Sequence, residues 1–304
     1  MANFTLKQLR YFEALAQHRH FGHAAEACAI SQPALSVQIK ELEETLGAQL
    51  VERAARQVRL TPFGEELLIR VHSILRQVDE LGEFARAAQG QLTGRFRLGI
   101  IPTIAPYLLP QIIGELGKSH PRLDLHVRET LTPRLVQELV QGRLDAAIVA
   151  LPVEETALVE TPLFDETFVL VRPEADAAKP VPRSEDLRDM RLLLLEEGHC
   201  FREQALNFCH APSAVPRDGL DGSSLSTLVQ MVGAGIGVTL IPQMAIGVET
   251  RSAQVSCAAF PPPQPGRTIG MVWRKSNPLA QAFAEIAQVV REAGEQGAKL
   301  PESD

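Results

Sequence analysis

The chain has 304 residues, which is too long for one ordinary hydrophobic core and predicts two or three domains. Hydrophobic residues make up 45% and charged residues 22% of it, which excludes a disordered or membrane-embedded protein. The formal net charge of −7 excludes a general attraction to nucleic acid, so any contact with DNA must come from a local cluster of basic residues. The best candidate cluster contains Arg53, Arg56 and Arg59.

Targeting signals and cysteine usage point to the cytoplasm. Lys7, Arg10 and Glu13 interrupt the apolar residues at the amino terminus, so this segment is not expected to be a secretory signal. The longest apolar run is about eight residues, against the ~20 needed to span a bilayer. The 4 cysteines are too few and too scattered for a secreted disulfide framework. We expect a cytoplasmic protein without a membrane partner, in which a disulfide would act as a switch.

Three helices are predicted within the first 50 residues. Thr5 is a suitable N-cap for the first helix, and an alanine-rich second helix is expected over residues 22–28. Ser31 can cap the third, where Pro33 costs little because its missing N–H would be unpaired in the first turn. Buried positions of this helix recur every three or four residues, at Leu35, Ile39, Leu42 and Leu46.

The opposite face of the third helix would expose hydrogen-bonding side chains and one cation: Gln32, Ser36, Gln38 and Lys40. Taken alone, such a face is typical of any solvated helix. The same side chains, led by a helix N-terminus, also suit the base edges and phosphates of a DNA major groove. The composition of the face does not decide between these two interpretations.

The wider segment closely resembles the winged helix-turn-helix of LysR-type transcription regulators. The resemblance is carried by Phe21-Gly22, Ala24-Ala25, Gln32-Pro33, Leu35-Ser36, Ile39, Leu42-Glu43 and Leu46-Gly47, by a wing at Leu50 to Leu60, and by Thr61-Pro62-x-Gly64. It implies double-stranded DNA at promoter operators as a partner. By that resemblance the groove-facing residues are Ser31, Gln32, Pro33, Ala34, Ser36, Gln38 and Lys40, with Arg53 and Arg56 along the backbone.

A long linker helix is predicted after Thr61-Pro62. Its apolar positions alternate spacings of four and three, at Leu67, Val71, Ile74, Val78, Leu81, Ala85 and Ala88. An isolated helix would expose this heptad seam to water, so a partner must cover it. A dimeric coiled coil is the favoured interpretation, and packing on the chain's own C-terminal domain is the alternative. Gly90 and Gly94 are expected to end the helix.

Strands and helices alternate from Arg95 onward. Strands at 95–101, 123–129 and 145–150, with helices at 104–118 and 132–141, predict a parallel sheet covered on both faces. A strand at 162–172 would cross to a second subdomain, and residues 267–274 would return to the first before a final helix at 278–294. Within the second subdomain we expect strands at 192–196 and 238–241, a helix from about 198 and another opened by Ser223-Ser224.

Two lobes joined by crossover strands resemble the periplasmic-binding-protein-like effector domain of LysR-type regulators. We therefore predict an α+β multidomain protein. Its parts are a winged helix-turn-helix domain (1–61), a linker dimerisation helix (62–90) and a regulatory α/β domain of two subdomains (91–304). Subdomain I would cover residues 91–165 and 267–304, and subdomain II residues 166–266.

Ligands bind open parallel sheets at the carboxyl ends of the strands, and this places Thr103 and Thr132 in suitable positions. Either threonine could instead be only an N-cap. Between the lobes, a small anionic effector is therefore one candidate signal.

The segment Gly198-His199-Cys200-Phe201-Arg202-Glu203-Gln204-Ala205-x3-Cys209 closely resembles the redox segment of peroxide-sensing members of the LysR family. Ile101-Pro102-Thr103-x2-Pro106-Tyr107-Leu108-x-Pro110 and Arg267-Thr268-Ile269-Gly270 resemble the same proteins. The resemblance implies hydrogen peroxide as the signal, a redox-active disulfide between Cys200 and Cys209, and peroxide binding by Thr103, Thr132, His199 and Arg267. It implies control of oxidative-stress genes by a dimer or tetramer that contacts RNA polymerase, with no enzyme activity, cofactor or metal.

The chemistry of the cysteines supports such a role. Cys200 lies at a predicted helix start near His199 and Arg202, which favours the thiolate that attacks peroxide. Hydroxyls of Thr103 and Thr132 and the Arg267 guanidinium could stabilise the departing oxygen. Nine helical residues separate Cys200 from Cys209 by about 13 Å, whereas a disulfide needs Cα atoms within about 7 Å. If the segment is helical, forming the disulfide must unwind it.

Other interpretations of the same residues stay open. His199-Cys200 and Cys209-His210 form two His/Cys doublets that could hold zinc or copper(I). The chain could answer a small anion without redox chemistry, or be a thiol peroxidase enzyme. The two thiols could also be unconnected and buried. Cys28 is expected to lie in a core, and Cys257 has no charged neighbour close in sequence.

Overall fold

A computed structural model describes residues 4–53, 58–87, 93–187, 190–209 and 221–297. The chain divides into two units, Met1–Ala88 and Gln89–Asp304. Across these described ranges, no helix has the length and apolar character needed to cross a membrane.

The N-terminal unit contains a helical cluster, a two-stranded wing and a long helix. In chain order its elements are α1 (Leu6–His18), α2 (Phe21–Ala27), α3 (Gln32–Leu46), β1 (Val51–Arg53), β2 (Val58–Leu60) and α4 (Pro62–Ala87). Both predicted caps are present: the Thr5 side chain accepts from the Gln8 N–H, and the Ser31 side chain accepts from the Ala34 N–H. β1 and β2 pair antiparallel.

The core of this unit uses part of the linker helix. Leu35, Ile39 and Leu42 of α3 are fully buried, as the spacing predicts, and Val71 and Leu75 of α4 join the same cluster. The prediction that Val71 faces another chain is therefore wrong, because Val71 packs inside its own unit. Ile74 and Leu81 of the seam are 38% and 68% exposed. Ala88 and Gly90 lie outside the described residues.

The C-terminal unit follows the predicted alternation. Its elements are β3 (Gly94–Ile100), α5 (Ala105–Ser119), β4 (Leu123–Glu129), α6 (Thr132–Val140), β5 (Ala146–Leu151), β6 (Leu158–Pro173), α7 (Ser184–Leu187), β7 (Leu194–Leu195), α8 (Cys200–Phe208), β8 (Asp221–Gly222), α9 (Leu225–Gly233), β9 (Thr239–Pro242), α10 (Ile246–Glu249), β10 (Val255–Ala259), β11 (Gly266–Arg274) and α11 (Ala280–Gly297).

The sheet is mixed rather than wholly parallel. β3 pairs parallel with both β4 and β5, as predicted. β11 lies antiparallel between β5 and β6, because the chain re-enters the first lobe from the second when it forms this strand. β9 and β10 pair with β6, and the sequence pattern missed β10.

Two separate cores define two lobes within this unit. The first is built on β3, β5, β11, α5 and α11, and the second on the end of β6 together with α8, α9 and β9. β6 contributes to both, with Leu158 and Leu163 in the first core and Phe168 and Leu170 in the second. Strands β6 and β11 therefore run between the lobes, which places the residues near Glu166 and Arg267 at the crossing.

Candidate functional site

The two central cysteines lie at opposite ends of α8. Cys200 is its first residue, and Cys209 is the C-cap, whose N–H donates to the Ala205 carbonyl oxygen. Gly198 precedes the helix with a φ of +94°, and a Cβ at this position would lie 3.0 Å from the Leu131 Cδ1 atom. Glycine thus permits both the left-handed turn and the close approach that start the helix here. The cysteines are free thiols.

The surroundings of the two thiols differ. Cys200 is half-buried and packs against the core of the first lobe. Cys209 is fully buried in the core of the second lobe. Burial disfavours the charged form and raises the pKa of the Cys209 thiol to about 11. Cys209 is therefore a thiol at neutral pH and cannot attack another sulfur until it leaves this core.

The predicted cationic neighbours of Cys200 do not act as expected. Burial lowers the pKa of His199, opposed by the nearby Glu196, so the imidazole is neutral at neutral pH. The Arg202 guanidinium points to the second lobe, where NH1 donates to the Leu195 carbonyl at 2.7 Å and to Asp221 Oδ1 at 3.0 Å. Of the predicted features, the helix N-terminus remains beside Cys200, which is the first residue of α8.

Arg267 and Thr103 are brought together, although 164 residues separate them. Arg267 NH1 donates to Thr103 Oγ1 at 2.9 Å, and NH2 donates to the Thr103 carbonyl at 3.2 Å. Since the hydroxyl accepts from Arg267, its own hydrogen is free to be donated to another atom. Both residues are buried.

Glu166, which the sequence analysis missed, pairs with Arg267. Its Oε2 atom accepts from Arg267 Nε at 2.7 Å and lies 2.7 Å from NH2. Burial raises the pKa of the Glu166 carboxyl, and the Arg267 charge opposes that rise. The guanidinium also lies over two aromatic rings, 5.3 Å from the centroid of Phe201 and 5.9 Å from that of Phe168. Because Phe201 follows Cys200, Arg267 connects Thr103 to the start of α8.

Thr103 and Thr132, for which an N-cap role was the alternative to ligand binding, are not N-caps in the structure. The N-cap of α5 is Ile104 and that of α6 is Leu131, while Thr132 is the first residue of α6. Within the described residues, the buried Thr132 Oγ1 atom has no hydrogen-bond partner. A hydroxyl in this state can bind a small polar molecule without first losing a protein contact.

A cavity of about 340 Å³ lies beside these residues, between the two lobes. Thr103, His199 and Leu131 line it, together with Tyr107 and Glu249. The Tyr107 hydroxyl donates to Glu249 Oε1 at 2.6 Å, and Ser226 donates to the other carboxylate oxygen. A carboxylate in the wall disfavours an anionic occupant, which weighs against the small-anion interpretation.

The metal interpretation finds no support in the described ranges, which contain no group of three or more His, Cys, Asp or Glu side chains able to hold an ion. His210 lies outside these ranges. The helical separation of Cys200 and Cys209, about 13 Å, is also far greater than two zinc–sulfur bonds can span.

The N-terminal unit exposes most of the predicted face of α3. Ser31, Gln32, Pro33, Ala34 and Lys40 are exposed, whereas Ser36 and Gln38 are half-buried. Two of these side chains have partners on their own helix: Lys40 pairs with Glu44 at 3.4 Å, and Gln38 donates to Glu41 at 2.8 Å. Val37, absent from the prediction, is 53% exposed on the same helix. Arg53 ends β1, and Arg56 lies outside the described residues.

Two family models match these two regions. Residues 6–65 match the bacterial regulatory helix-turn-helix protein of the lysR family, and residues 89–295 match the LysR substrate binding domain. The chain belongs to the LysR family. Residues 6–65 are accordingly the helix-turn-helix part of a LysR-family regulator, and residues 89–295 are its substrate binding domain.

Curated relatives of this LysR-family chain match it over almost its whole length. A probable hydrogen peroxide-inducible genes activator from Streptomyces viridosporus is 46% identical, over 95% of this chain and 94% of the relative. The DNA-binding transcriptional dual regulator OxyR from Escherichia coli is 40% identical, over 94% of this chain and 95% of the relative.

Solved structures of LysR-family proteins are similar as well. Full-length OxyR from Pseudomonas aeruginosa, as a mutant, has a TM-score of 0.75 at 40% identity and covers 95% of this chain and 98% of its own. A mutant OxyR from Corynebacterium glutamicum with hydrogen peroxide bound has a TM-score of 0.66 at 37% identity, covering 97% and 94%. The likeness therefore extends over both units.

Proposed function

We propose that the protein is a LysR-type regulator that senses hydrogen peroxide through Cys200 and Cys209 and controls oxidative-stress genes. The observation that carries this proposal is the unequal placement of the two thiols. Cys200 starts α8 next to Phe201, whose ring lies against the Arg267 guanidinium that binds Thr103, whereas Cys209 is enclosed in a core at the other end. The name of the Streptomyces viridosporus relative, a probable hydrogen peroxide-inducible genes activator, supports the same function.

In the first step the Cys200 thiolate attacks one oxygen of hydrogen peroxide. A sulfur–oxygen bond forms, the oxygen–oxygen bond breaks, and hydroxide leaves and takes a proton to become water. Cys200 is oxidised by two electrons to sulfenic acid, and the peroxide is reduced. Thr103, Thr132, His199 and Arg267 are the residues proposed to bind peroxide, and the Thr103 hydroxyl, with its hydrogen free, is suited to the departing oxygen.

In the second step the Cys209 thiolate attacks the Cys200 sulfur. A disulfide forms, the sulfur–oxygen bond breaks, and the oxygen leaves as water after protonation. The pair lies about 13 Å apart along α8, so the helix must unwind and Cys209 must leave its core for the bond to form. Oxidation thereby becomes a change of conformation in the second lobe.

The proposed consequence of this conformational change is altered binding to DNA. The partner is double-stranded DNA at promoter operators, read by the exposed face of α3 and by Arg53 and Arg56. A dimer through the exposed part of α4, pairing into a tetramer, would place recognition helices on neighbouring half-sites and contact RNA polymerase. In this proposal residues 1–61 form the DNA-binding domain, residues 62–90 the linker helix and residues 91–304 the regulatory domain. The protein acts in the cytoplasm.

The test of the redox assignment is peptide mapping by mass spectrometry after treatment of the reduced protein with hydrogen peroxide. The expected product is a Cys200–Cys209 disulfide, with Cys28 and Cys257 still alkylated as thiols. A Cys257→Ser variant is the matched control and should give the same map. A protein that loses no thiols to peroxide, or pairs either sulfur with a different cysteine, would refute the proposal.

The DNA-reading face is tested by fluorescence anisotropy with duplexes selected in vitro from a random pool. Gln32→Ala and Ser36→Ala should relax the sequence preference, because these side chains are placed at base edges. Arg53→Ala should weaken every duplex and reduce the salt slope by roughly one contact, since it is placed at a phosphate. An unchanged sequence preference in the Gln32/Ser36 double variant would remove α3 as the recognition helix.

The linker assignment is tested by light scattering. Ile74→Asp places a carboxylate in the seam and should yield monomers with greatly weakened DNA binding. Ile69→Asp is the matched control, because Ile69 is 70% exposed on α4 but lies off the seam. If both variants keep the oligomeric mass of the unmodified chain, α4 is not the main contact between protomers.

A further inference from the structure

A buried ion pair stands at the crossing between the two lobes. Glu166 of β6 is directly opposite Arg267 of β11 in the antiparallel register. The two side chains are 2% and 1% exposed. Removing two charges from water costs several kcal/mol per ion unless the geometry is good and the remaining donors are used. This pair therefore calls for an explanation beyond stability alone.

The guanidinium is held in one orientation by three kinds of contact. Its Nε/NH2 edge faces the Glu166 carboxylate, NH1 faces the Thr103 hydroxyl, and the flat surface lies against Phe201 and Phe168. A guanidinium is planar, with donors in a fixed fork, so anchoring one edge determines where the others point. Glu166 is the anchor of this arrangement, and it does not line the cavity beside Thr103.

We propose that Glu166 is a positioning residue for the oxidation of Cys200. It orients Arg267 so that NH1 donates a hydrogen bond to the Thr103 hydroxyl oxygen. The Thr103 hydroxyl then donates its own hydrogen to the departing oxygen of peroxide. This inference rests on the proposed peroxide function. Without the carboxylate, Arg267 loses its anchor and the Thr103 hydroxyl is free to rotate. Its hydrogen is then no longer directed, and hydroxide departs without a fixed donor.

A purely structural role makes a different prediction. Loss of a support for the fold would slow every reaction of Cys200 alike or lower the yield of folded protein. Loss of positioning slows only the reaction that expels an oxygen. Alkylation by iodoacetamide also needs the Cys200 thiolate, but it expels iodide and needs no oxygen stabilisation, so it reports on the structural role separately.

The experiment compares the full chain with its Glu166→Gln variant in stopped-flow reactions with hydrogen peroxide and, in parallel, with iodoacetamide at the same pH. We expect the peroxide rate constant to fall by about ten- to a hundredfold, as for a weakened oxyanion donor, and the alkylation rate constant to stay within about twofold. Glu166→Asp keeps the charge and should recover part of the peroxide rate. An unchanged or faster peroxide reaction in Glu166→Gln, or an equal fall in both reactions, overturns the proposal.

Two further measurements keep the result decisive. If Glu166→Gln does not fold, judged by circular dichroism, Glu166→Asp is compared with Thr103→Val: a peroxide rate constant in Glu166→Asp equal to that of the unmodified chain, despite the shortened anchor, overturns positioning. If the unmodified chain shows no oxidation of Cys200 by peroxide, it is the proposed function that fails. If the unmodified chain reacts with peroxide and the Glu166 variants react at the same rate, the proposed function stands and the positioning role of Glu166 fails.

Discussion

The two ends of α8 present the same side chain in opposite conditions. At the amino end, Cys200 is half-buried and follows His199, which lines a cavity together with several hydroxyl-bearing residues. At the carboxyl end, Cys209 is fully buried, and its surroundings raise its pKa to about 11. The comparison indicates a division of tasks in which one thiol is accessible to an oxidant and the other is withheld until the structure changes.

The same helix also holds the two thiols apart. Cys200 packs against the core of the first lobe and Cys209 belongs to the core of the second. Arg202, the third residue of the helix, donates hydrogen bonds to the Leu195 carbonyl and to Asp221 and so holds the start of the helix in place. A disulfide cannot form while α8 and these contacts persist, so closing the bond changes the packing of the second lobe.

The largest effect is expected from Cys200→Ser. This variant lacks the attacking sulfur, so peroxide should produce no disulfide between residues 200 and 209 and no change in DNA binding. Thiol titration before and after peroxide, with Cys257→Ser as the control, measures the effect. A normal loss of thiols in the Cys200→Ser protein would mean that the accessible end of α8 is not where oxidation begins.

Cys209→Ser should stop the reaction halfway. The first step should keep its rate within about twofold, because Cys209 is enclosed in a different core, but the sulfenic acid at Cys200 should persist for lack of a second sulfur. Trapping with a dimedone-type reagent followed by mass spectrometry detects this state. If no sulfenic acid accumulates, Cys209 takes part in the first step, which contradicts its assignment to the second step alone.

Thr103→Val should slow the first step by about a hundredfold, as does removal of one oxyanion donor elsewhere, without changing the number of titratable thiols. The matched control is Thr103→Ser, which keeps the hydroxyl that accepts from Arg267. Stopped-flow oxidation measures both. Equal rates in the valine and serine variants would show that the hydroxyl is not used.

A smaller effect is expected on stability at alkaline pH. The Cys209 pKa is raised from about 9 to about 11 in the folded chain, so the folded state keeps a proton that the unfolded state loses over this interval. The free energy of unfolding should therefore fall as pH rises from about 9 to about 11, and Cys209→Ser should remove this part of the fall. Urea unfolding of reduced protein at several pH values tests it.

Cys257→Ser is the control, although burial also raises the pKa of that thiol and of Cys28. The contributions of Cys257 and Cys28 must be subtracted from the measured fall in the free energy of unfolding at alkaline pH. If Cys209→Ser leaves the dependence on pH unaltered, Cys209 is less enclosed than its packing indicates.

Much of this arrangement follows from local sequence. The caps at Thr5 and Ser31 and the three- to four-residue spacing on α3 predict the first helices within a residue or two, since these signals are short-range. The helix expected from about residue 198 begins at Cys200, although no side-chain cap marks its start. Thr103 and Arg267 were named from resemblance, and the structure brings them together.

The remainder depends on long-range packing. Glu166 pairs with Arg267, which is 101 residues away in the chain, and no sequence periodicity predicts such a pairing. Arg202 was expected to assist Cys200 because it is close in sequence, yet its side chain follows the helix surface toward Asp221. Val71 fits a heptad seam and also fits the core of its own unit, and only the packing of α1 against α4 decides between the two.

The most direct test of the division of tasks is to ask which sulfur is oxidised first. Reduced full-length protein is mixed with substoichiometric hydrogen peroxide in a rapid-quench apparatus, in the presence of a dimedone-type trap, and the labelled peptides are quantified over time. The account predicts that the label appears on Cys200 before any disulfide and is absent from Cys209. Label on Cys209 before Cys200, or simultaneous label on both, would contradict it.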